Sequence, residues 1–202
     1  MSDRRRPGLT RQTMIDAALR LLDEVGLDGL TVRRLAAELG VQSPALYWHI
    51  RTKQELLDGM ADAIVRAAGM GPPRREEPWQ EWLARRARAY RASLLAHRDG
   101  ARVVAGAATL SLETLRMFEG ELAAMTDRGF TPVLAVRTIS TLTHYITGFV
   151  LQEQAPRSPG QPVEEPMPIL TESHRAGGSP LSEDAFEHGL RVIITGTAAT
   201  LG

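Results

Sequence analysis

Three large rings in succession, Tyr47, Trp48 and His49, stand directly after Ser43-Pro44-Ala45-Leu46. On a helix each residue turns by about 100°, so such a triplet fans across most of the circumference and at least one ring must face solvent. Leu46 can turn to a core. One account of the rings is a packing cluster with a frayed histidine. The other is a DNA-facing surface, with Tyr47 and His49 reaching phosphates or base edges and Trp48 laid flat against sugar or a thymine methyl. Ala45 then supplies a methyl contact, and Ser43 and Pro44 open the helix end that meets the groove. Upstream, Arg33 carries the forked donor set that matches a guanine edge. Thr31 and Lys53 each stand where a helix begins, and free N–H groups there favour a phosphate. Thr31 is equally an ordinary cap, since the same N–H groups serve both purposes. Arg4, Arg5 and Arg6 form a basic arm. Most such runs are solvated ends, but this one adjoins the motif and can track the DNA backbone or minor groove.

The elements around these residues read as helices throughout, which predicts an all-α fold. Apolar residues recur at three and four, and no period-2 alternation of β-branched residues appears. Thr10 caps a first helix whose inner face is Ile15, Ala18, Leu19, Leu22 and Val25, with Gly26 as its stop. Thr31 caps a second, stapled by Leu30 and Leu35 and ended at Gly40. Ser43-Pro44 predicts a third helix over 43–49, a capping hydroxyl followed by proline. Thr52-Lys53-Gln54-Glu55 reads as a capping box that opens a fourth, with Leu56, Leu57, Met60 and Ile64 inward. Two short helices joined at a glycine turn, then a third, have the geometry of a helix-turn-helix. Further helices are expected over 78–97, 112–128, 132–154 and about 182–200, with a short one near 101–107. Residues 156–180 hold six of the twelve prolines and three glycines, so a flexible loop is expected there. The division is a DNA-binding head at 1–52, a connecting helix at 53–71, and a larger core at 72–202.

Composition narrows the classes. The chain has 202 residues, with 24 Lys plus Arg against 24 Asp plus Glu, so the net charge is neutral evidence about nucleic acid. All but one of the cations are arginine, Lys53 being the exception, a bias that a GC-rich genome explains as well as any function. Absence of cysteine excludes disulfides, thiolate metal sites and a thiol nucleophile. No run reaches the ~20 apolar residues of a membrane span, and no apolar run follows the basic start. A cytoplasmic protein without a membrane partner is expected. The five histidines (49, 97, 144, 174, 188) form no HExxH pair, and no phosphate loop or nucleophile elbow is present. Glu113 with His144 has no local support as a dyad. Neither catalysis, nor a metal, nor a cofactor is expected.

The stretch "LTRQTMIDAALRLLDEVGLDGLTVRRLAAELGVQSPALYWHIRTKQELLDGMADAIV" resembles the DNA-binding lobe of the TetR family. More narrowly, "LYWHIRTKQELLD" with the later "WQEWL", "LLAHRDGARV", "RGF", "SHRAGG" and "FEHGL" is similar to its tetracycline-repressor branch. The resemblance covers nearly the whole chain. It implies a homodimeric repressor in which an effector enters the core, the two heads swing apart, and a palindromic operator is released. It also places Val104 and Ala107 where that branch has a magnesium-site imidazole and threonine, and Gln152 where a partner glutamate stands. Arg86 and Gly69 fall where an asparagine and a histidine grip the drug, while His144 and the aromatic Tyr90 persist. Without imidazole and acid the hard-ligand shell is lost, so magnesium–tetracycline is not the expected effector.

A drier cavity is expected instead, suited to a polycyclic or polyketide-like molecule. Its candidate walls are Leu83, Tyr90, Val104, Met117, Leu134 and Thr138, continued by Thr141, Phe149 and Met167. Candidate polar handles are Arg86, Thr147, Gln152 and His144, with Arg86 placed to meet an anionic group. Each of these apolar residues is also readable as plain core, and His144 as a satisfied buried histidine. Glycine inside a helix costs about 1 kcal/mol relative to alanine and often marks close approach of two helices. Gly148, Gly189 and Gly196, with Ile193, Ile194, Thr197 and Leu201, are therefore read as a dimer seam. Such a dimer would hold two reading helices about 34–36 Å apart. The alternative is a DNA-binding regulator with no small-molecule effector, acting constitutively or through a protein partner.

Overall fold

A computed structural model describes residues 9–156 and 167–201, which form ten helices and no strand. The basic arm Arg4–Arg6 lies outside the described residues.

Helix α1 (Arg11–Gly29) opens on a capping box in which Thr10 and Thr13 bond reciprocally. It buries Met14, Ala18, Leu21 and Leu22. The chain does not stop at Gly26, as expected, but bends there at φ 72° and makes one further turn. A side chain is disfavoured at that φ, which is why the bend falls on glycine. Helix α2 (Val32–Leu39) has the Thr31 hydroxyl accepting from the Arg34 N–H and ends at left-handed Gly40. Leu30 and Leu35, the staple, are both buried.

Helix α3 (Ser43–Leu46) is shorter than the expected 43–49. After Leu46 the chain tightens into turns, with Tyr47 N–H bonded to Pro44 O and His49 N–H to Leu46 O. Leu46 and Ile50 are both drawn into the core, and a helical spacing of four satisfies them only if the intervening rings face outward. The cap is Gln42, without a side-chain bond, and not Ser43. At helix α4 (Lys53–Ala67) the Thr52 hydroxyl accepts from Glu55 N–H, but Glu55 reaches back to Arg51 N–H and not to Thr52.

The core comprises α5 (Trp79–Leu95), α6 (Gly100–Ala105), α7 (Leu112–Thr126), α8 (Pro132–Gln154), α9 (Pro168–Arg175) and α10 (Glu183–Leu201). Helices α5 and α8 pack along each other, and α10 covers both. Trp82, Leu83, Leu94, Leu142, Ile146 and Phe186 are fully buried between them. Helix α9 corrects the expectation of an irregular loop over its own residues, while 157–166 lie outside the described residues. Its proline, Pro168, sits at the first helical turn, where the missing N–H costs nothing. His174 and Arg175 lie in its last turn, favourable to the dipole.

Head and core share a single buried apolar cluster, and α4 runs through it. The end of α1 is tied to the α5–α6 turn. Asp23 accepts from Arg98 N–H and faces the His97 ring, while Asp99 accepts from Leu27 N–H at 2.8 Å. Arg102 pairs with Asp28 at 3.0 Å, a bond that holds the Asp28 carboxyl below its ordinary range. None of the described helices is long and apolar enough to cross a membrane.

Candidate nucleic-acid interface and effector cavity

The short α3 and its following turn put all three rings on the outside of the head. Trp48 is 89 % exposed and Tyr47 52 %, and His49 is exposed as well. The packing-cluster account would have buried at least two of them. Tyr47 borders a narrow crevice shared with Val32, Lys53 and Leu56, on the side where α2 and α4 begin. Thr31, Arg33 and Lys53 are all exposed around it. Arg34 is occupied, donating to Gly29 O, whereas Arg33 makes no hydrogen bond or ion pair among the described residues. Ser43 and Ala45 are half-buried and Pro44 is exposed. An indole left in water on a surface with Arg33 and Lys53, neither of them paired among the described residues, is costly without a partner and suits a polyanionic, flat-edged one.

The core holds a cavity of about 560 Å³. Arg86 and Tyr90 enter it from α5, and Val104 from α6. The loop 107–110 closes one side. Helix α7 supplies Leu115, Phe118 and Leu122, and α8 supplies Val136, Ile139, Ser140, Thr143 and His144. Val65 and Met70, at the end of α4, complete it. No carboxylate lies on this wall among the described residues. His144 is exposed, at the mouth, and not buried as one reading of it had required.

Of the residues expected to line a cavity, Arg86, Tyr90, Val104 and His144 stand on the wall. The others do not. On α8 the wall stripe is 136, 139, 140, 143 and 144, while Thr138 belongs to the opposite, core-facing stripe with Ala135, Leu142, Ile146 and Val150. Leu134 and Thr141 fall beside the wall stripe, and Thr141 faces solvent. Thr147 sits behind the wall, bonded to the Tyr90 hydroxyl at 3.2 Å. Phe149 packs edge-on against Phe186 and next to Tyr145. Leu83 is fully buried between helices, Met117 is off the α7 stripe, and Gln152 and Met167 are exposed. The α7 triplet Leu115, Phe118 and Leu122 went unread in the sequence, although its spacing of three and four is an apolar stripe in itself.

Arg86 is not the free cation its position suggested. It is 2 % exposed, and its Nε donates at 2.9 Å to Oε2 of Glu121, which is 0 % exposed. Burial pushes the Glu121 carboxyl up, while the Arg86 guanidinium pulls against that shift. Arg86 Nη1 and Glu121 Oε1 have no hydrogen-bond partner among the described residues.

The cavity loop is fastened to α4, the helix that leaves the head. Gln54 Nε2 donates to Gly106 O at 3.0 Å. Asp58 accepts from Ala108 N–H at 2.9 Å and from the Thr109 hydroxyl at 2.8 Å. Asp62 accepts from Ser111 N–H and the Thr114 hydroxyl. Burial works to raise the Asp62 carboxyl, but these bonds outweigh it and the pKa falls below the ordinary value.

The close approach at Gly189 is made within the chain, because a Cβ there would collide with the Tyr145 hydroxyl, which donates to Phe186 O at 2.9 Å. That contact gives the glycine a reason within one chain, where the sequence suggests a seam between subunits. Around Gly148 and Gly196 a Cβ would meet nothing within 4 Å. Thr197 bonds back to Ile193 O, and Ile193 is half-buried against the core.

Residues 14–60 match the family described as bacterial regulatory proteins, tetR family, and residues 72–201 match the tetracyclin repressor-like C-terminal domain. The chain is 41 % identical over 197 residues to the class A tetracycline repressor from transposon 1721 of Escherichia coli, covering 94 % of this chain and 91 % of that one. A TetR variant of Acinetobacter baumannii, solved in complex with minocycline, superposes with a TM-score of 0.80 at 34 % identity, covering 96 % and 95 % of the two chains. BioQ, solved with its double-stranded DNA operator, gives 0.67 at 29 % identity, covering 95 % and 99 %. Outward rings on a short second helix, a helical core with a cavity, and matches spanning both halves lead to one assignment: the chain belongs to the TetR family, whose members are transcriptional regulators and not enzymes.

Proposed function

We propose that the protein is a homodimeric repressor that leaves a palindromic operator when a small, mainly apolar effector fills the core cavity. The observation that carries this reading is the bonding of the cavity loop to α4 through Asp58. A molecule that moves Ala108 and Thr109 pulls through these bonds on the helix that leaves the head. DNA would be met by Tyr47, Trp48 and His49, with Ala45, Ser43 and Pro44 beside them. Arg33 would read a base edge, Thr31 and Lys53 would hold phosphates, and the arm Arg4–Arg6 would follow the backbone. The open outer faces at Gly148 and Gly196, together with Ile193, Thr197 and the exposed Val192, support a helix–helix seam that sets two heads at half-site spacing.

Tyr47→Ala and Arg33→Ala should each weaken operator binding by about 1–3 kcal/mol where the side chain reads or positions a base pair. Fluorescence anisotropy on a duplex enriched from random sequence measures this. A folded double variant with unchanged affinity would remove the head from this role.

The effector proposed is not magnesium–tetracycline. Magnesium requires oxygen ligands in near-octahedral geometry, and the wall offers Val104 and Ala107 in place of donors. Gln152 is exposed, and it is neutral where a carboxylate would be needed. In a gel-shift titration the operator complex should persist as tetracycline and magnesium are added together. Release at stoichiometric drug would show this reading to be mistaken.

A further inference from the structure

We propose that the effector is a single-ended amphiphile, a flat apolar body carrying one carboxylate, which it seats at the cavity mouth against Ser140, Thr143 and His144 of α8. This rests on the effector-cavity reading above and gives the occupant both a chemistry and a direction.

The lining is divided. Val65, Met70, Arg86 and Tyr90 form a buried floor, whereas Ala108, Leu115, Val136 and His144 are exposed at the rim. The polar side chains of the floor are already partnered. The Tyr90 hydroxyl is hydrogen-bonded to Thr147 behind the wall at 3.2 Å. Arg86 Nε donates to Glu121 at 2.9 Å with both side chains buried, so that pair is neutral as a unit. A carboxylate driven to this end would give up its water without meeting an uncompensated cation, the situation in which buried charge is most expensive. The lining above the floor continues apolar, through Val104, Phe118, Leu122 and Ile139.

The α8 edge is the reverse. Ser140, Thr143 and His144 stand three and four apart, which puts them on one side of the helix, and all three lie on the cavity wall. None of these side chains makes a hydrogen bond among the described residues. Other hydroxyls in the chain are not left so, since those of Thr126 and Thr197 bond back to carbonyls of their own helices. Two hydroxyls and an imidazole are thus donors in want of an acceptor, and a carboxylate is an acceptor only. Hydrogen bonds to an ionised acceptor are also the stronger kind. Arg137, seven residues before His144 and on the same side of α8, is exposed and unpaired among the described residues, so it adds positive charge along this edge. At the rim the head keeps contact with solvent, and holding its charge there costs little. The volume of about 560 Å³ lies within the usual range for small-molecule sites.

Three fluorescent probes of matched length separate the possibilities: 2,6-dimethylanthracene, 6-methylanthracene-2-carboxylate and anthracene-2,6-dicarboxylate, which carry no, one and two acid groups. Each is held below its solubility limit at neutral pH while the full-length protein is titrated in, and fluorescence anisotropy is read. The monocarboxylate should bind about tenfold or more tightly than either of the others, because the hydrocarbon lacks the head and the dicarboxylate brings a charge to the floor. In a variant combining Ser140→Ala, Thr143→Val and His144→Ala, the monocarboxylate should fall to the level of the hydrocarbon. The hydrocarbon's own affinity should stay within about twofold, which also shows that the variant is folded. A hydrocarbon that binds the unaltered protein as tightly as the monocarboxylate overturns the proposal and leaves the effector cavity intact. A dicarboxylate that binds as tightly overturns it by showing that the floor accepts charge. A preference for the monocarboxylate that survives in the variant overturns the assignment of the head to α8. Binding of none overturns it together with the cavity reading on which it rests.

Discussion

Glu121→Ala should cost about 3–5 kcal/mol of folding stability, because it strands a permanently charged guanidinium in the interior. Arg86 is 2 % exposed, and Glu121 is its only ion-pair partner among the described residues. Removing the carboxylate therefore leaves no route by which the cation can be neutralised or rehydrated in place. The paired replacement Arg86→Met with Glu121→Leu should cost far less, because desolvation of two ions disappears along with their attraction. Urea denaturation with a common slope resolves the two cases through the midpoint. A single Glu121→Ala variant within about 1 kcal/mol of the parent, well short of the loss expected for a broken buried pair, would mean that water reaches the pair.

Trp82→Ala should be comparably damaging, by about 3–5 kcal/mol, for a different reason. The indole is fully buried on α5, and its Nε1 donates to Gly71 O at 2.9 Å. Truncation removes a large apolar surface, leaves a cavity the helices cannot close, and orphans a carbonyl in the link after α4. Trp82→Phe separates these effects, since it retains most of the apolar volume and loses mainly the hydrogen bond, roughly 1–3 kcal/mol. Met70, next to Gly71, lines the core cavity, so the alanine variant should also weaken binding of an apolar molecule there. Thermal and urea unfolding followed by circular dichroism give the stability arm. An alanine variant no less stable than the phenylalanine one would contradict the packing argument.

Helix beginnings were legible in the sequence because their signal is local. Thr31 and Thr52 cap by bonding an N–H three residues ahead, and Gly40 ends α2 in the left-handed conformation that favours glycine. The end of α3 was not legible, since it is set by the burial of Leu46 and Ile50 against helices from elsewhere in the chain. The outward rings followed from circumference alone. The cavity wall was only half legible. Helix α8 carries two stripes of apolar or neutral residues, and periodicity cannot say which of them meets the core and which the cavity, which is why Thr138 reads as wall although it faces the core. The Arg86–Glu121 pair joins residues 35 apart on different helices, and its formation depends on the rotation of α5 against α7, which no spacing rule encodes. Around α9 the number of prolines predicts a loop, but the position of Pro168 decides, because a proline at the first turn starts a helix instead of preventing it.

The fastening of Ala108 and Thr109 to Asp58 has a corollary in thermodynamic reciprocity. If occupancy of the chamber lowers the grip on DNA by some factor, then DNA must lower the grip on the occupant by that same factor, because both equilibria share one cycle. The dose of small molecule that half-fills the chamber is thus not a constant of the polypeptide. It climbs as regulatory DNA becomes more abundant, because the occupant's affinity for the bare protein exceeds its affinity for the protein seated on a promoter.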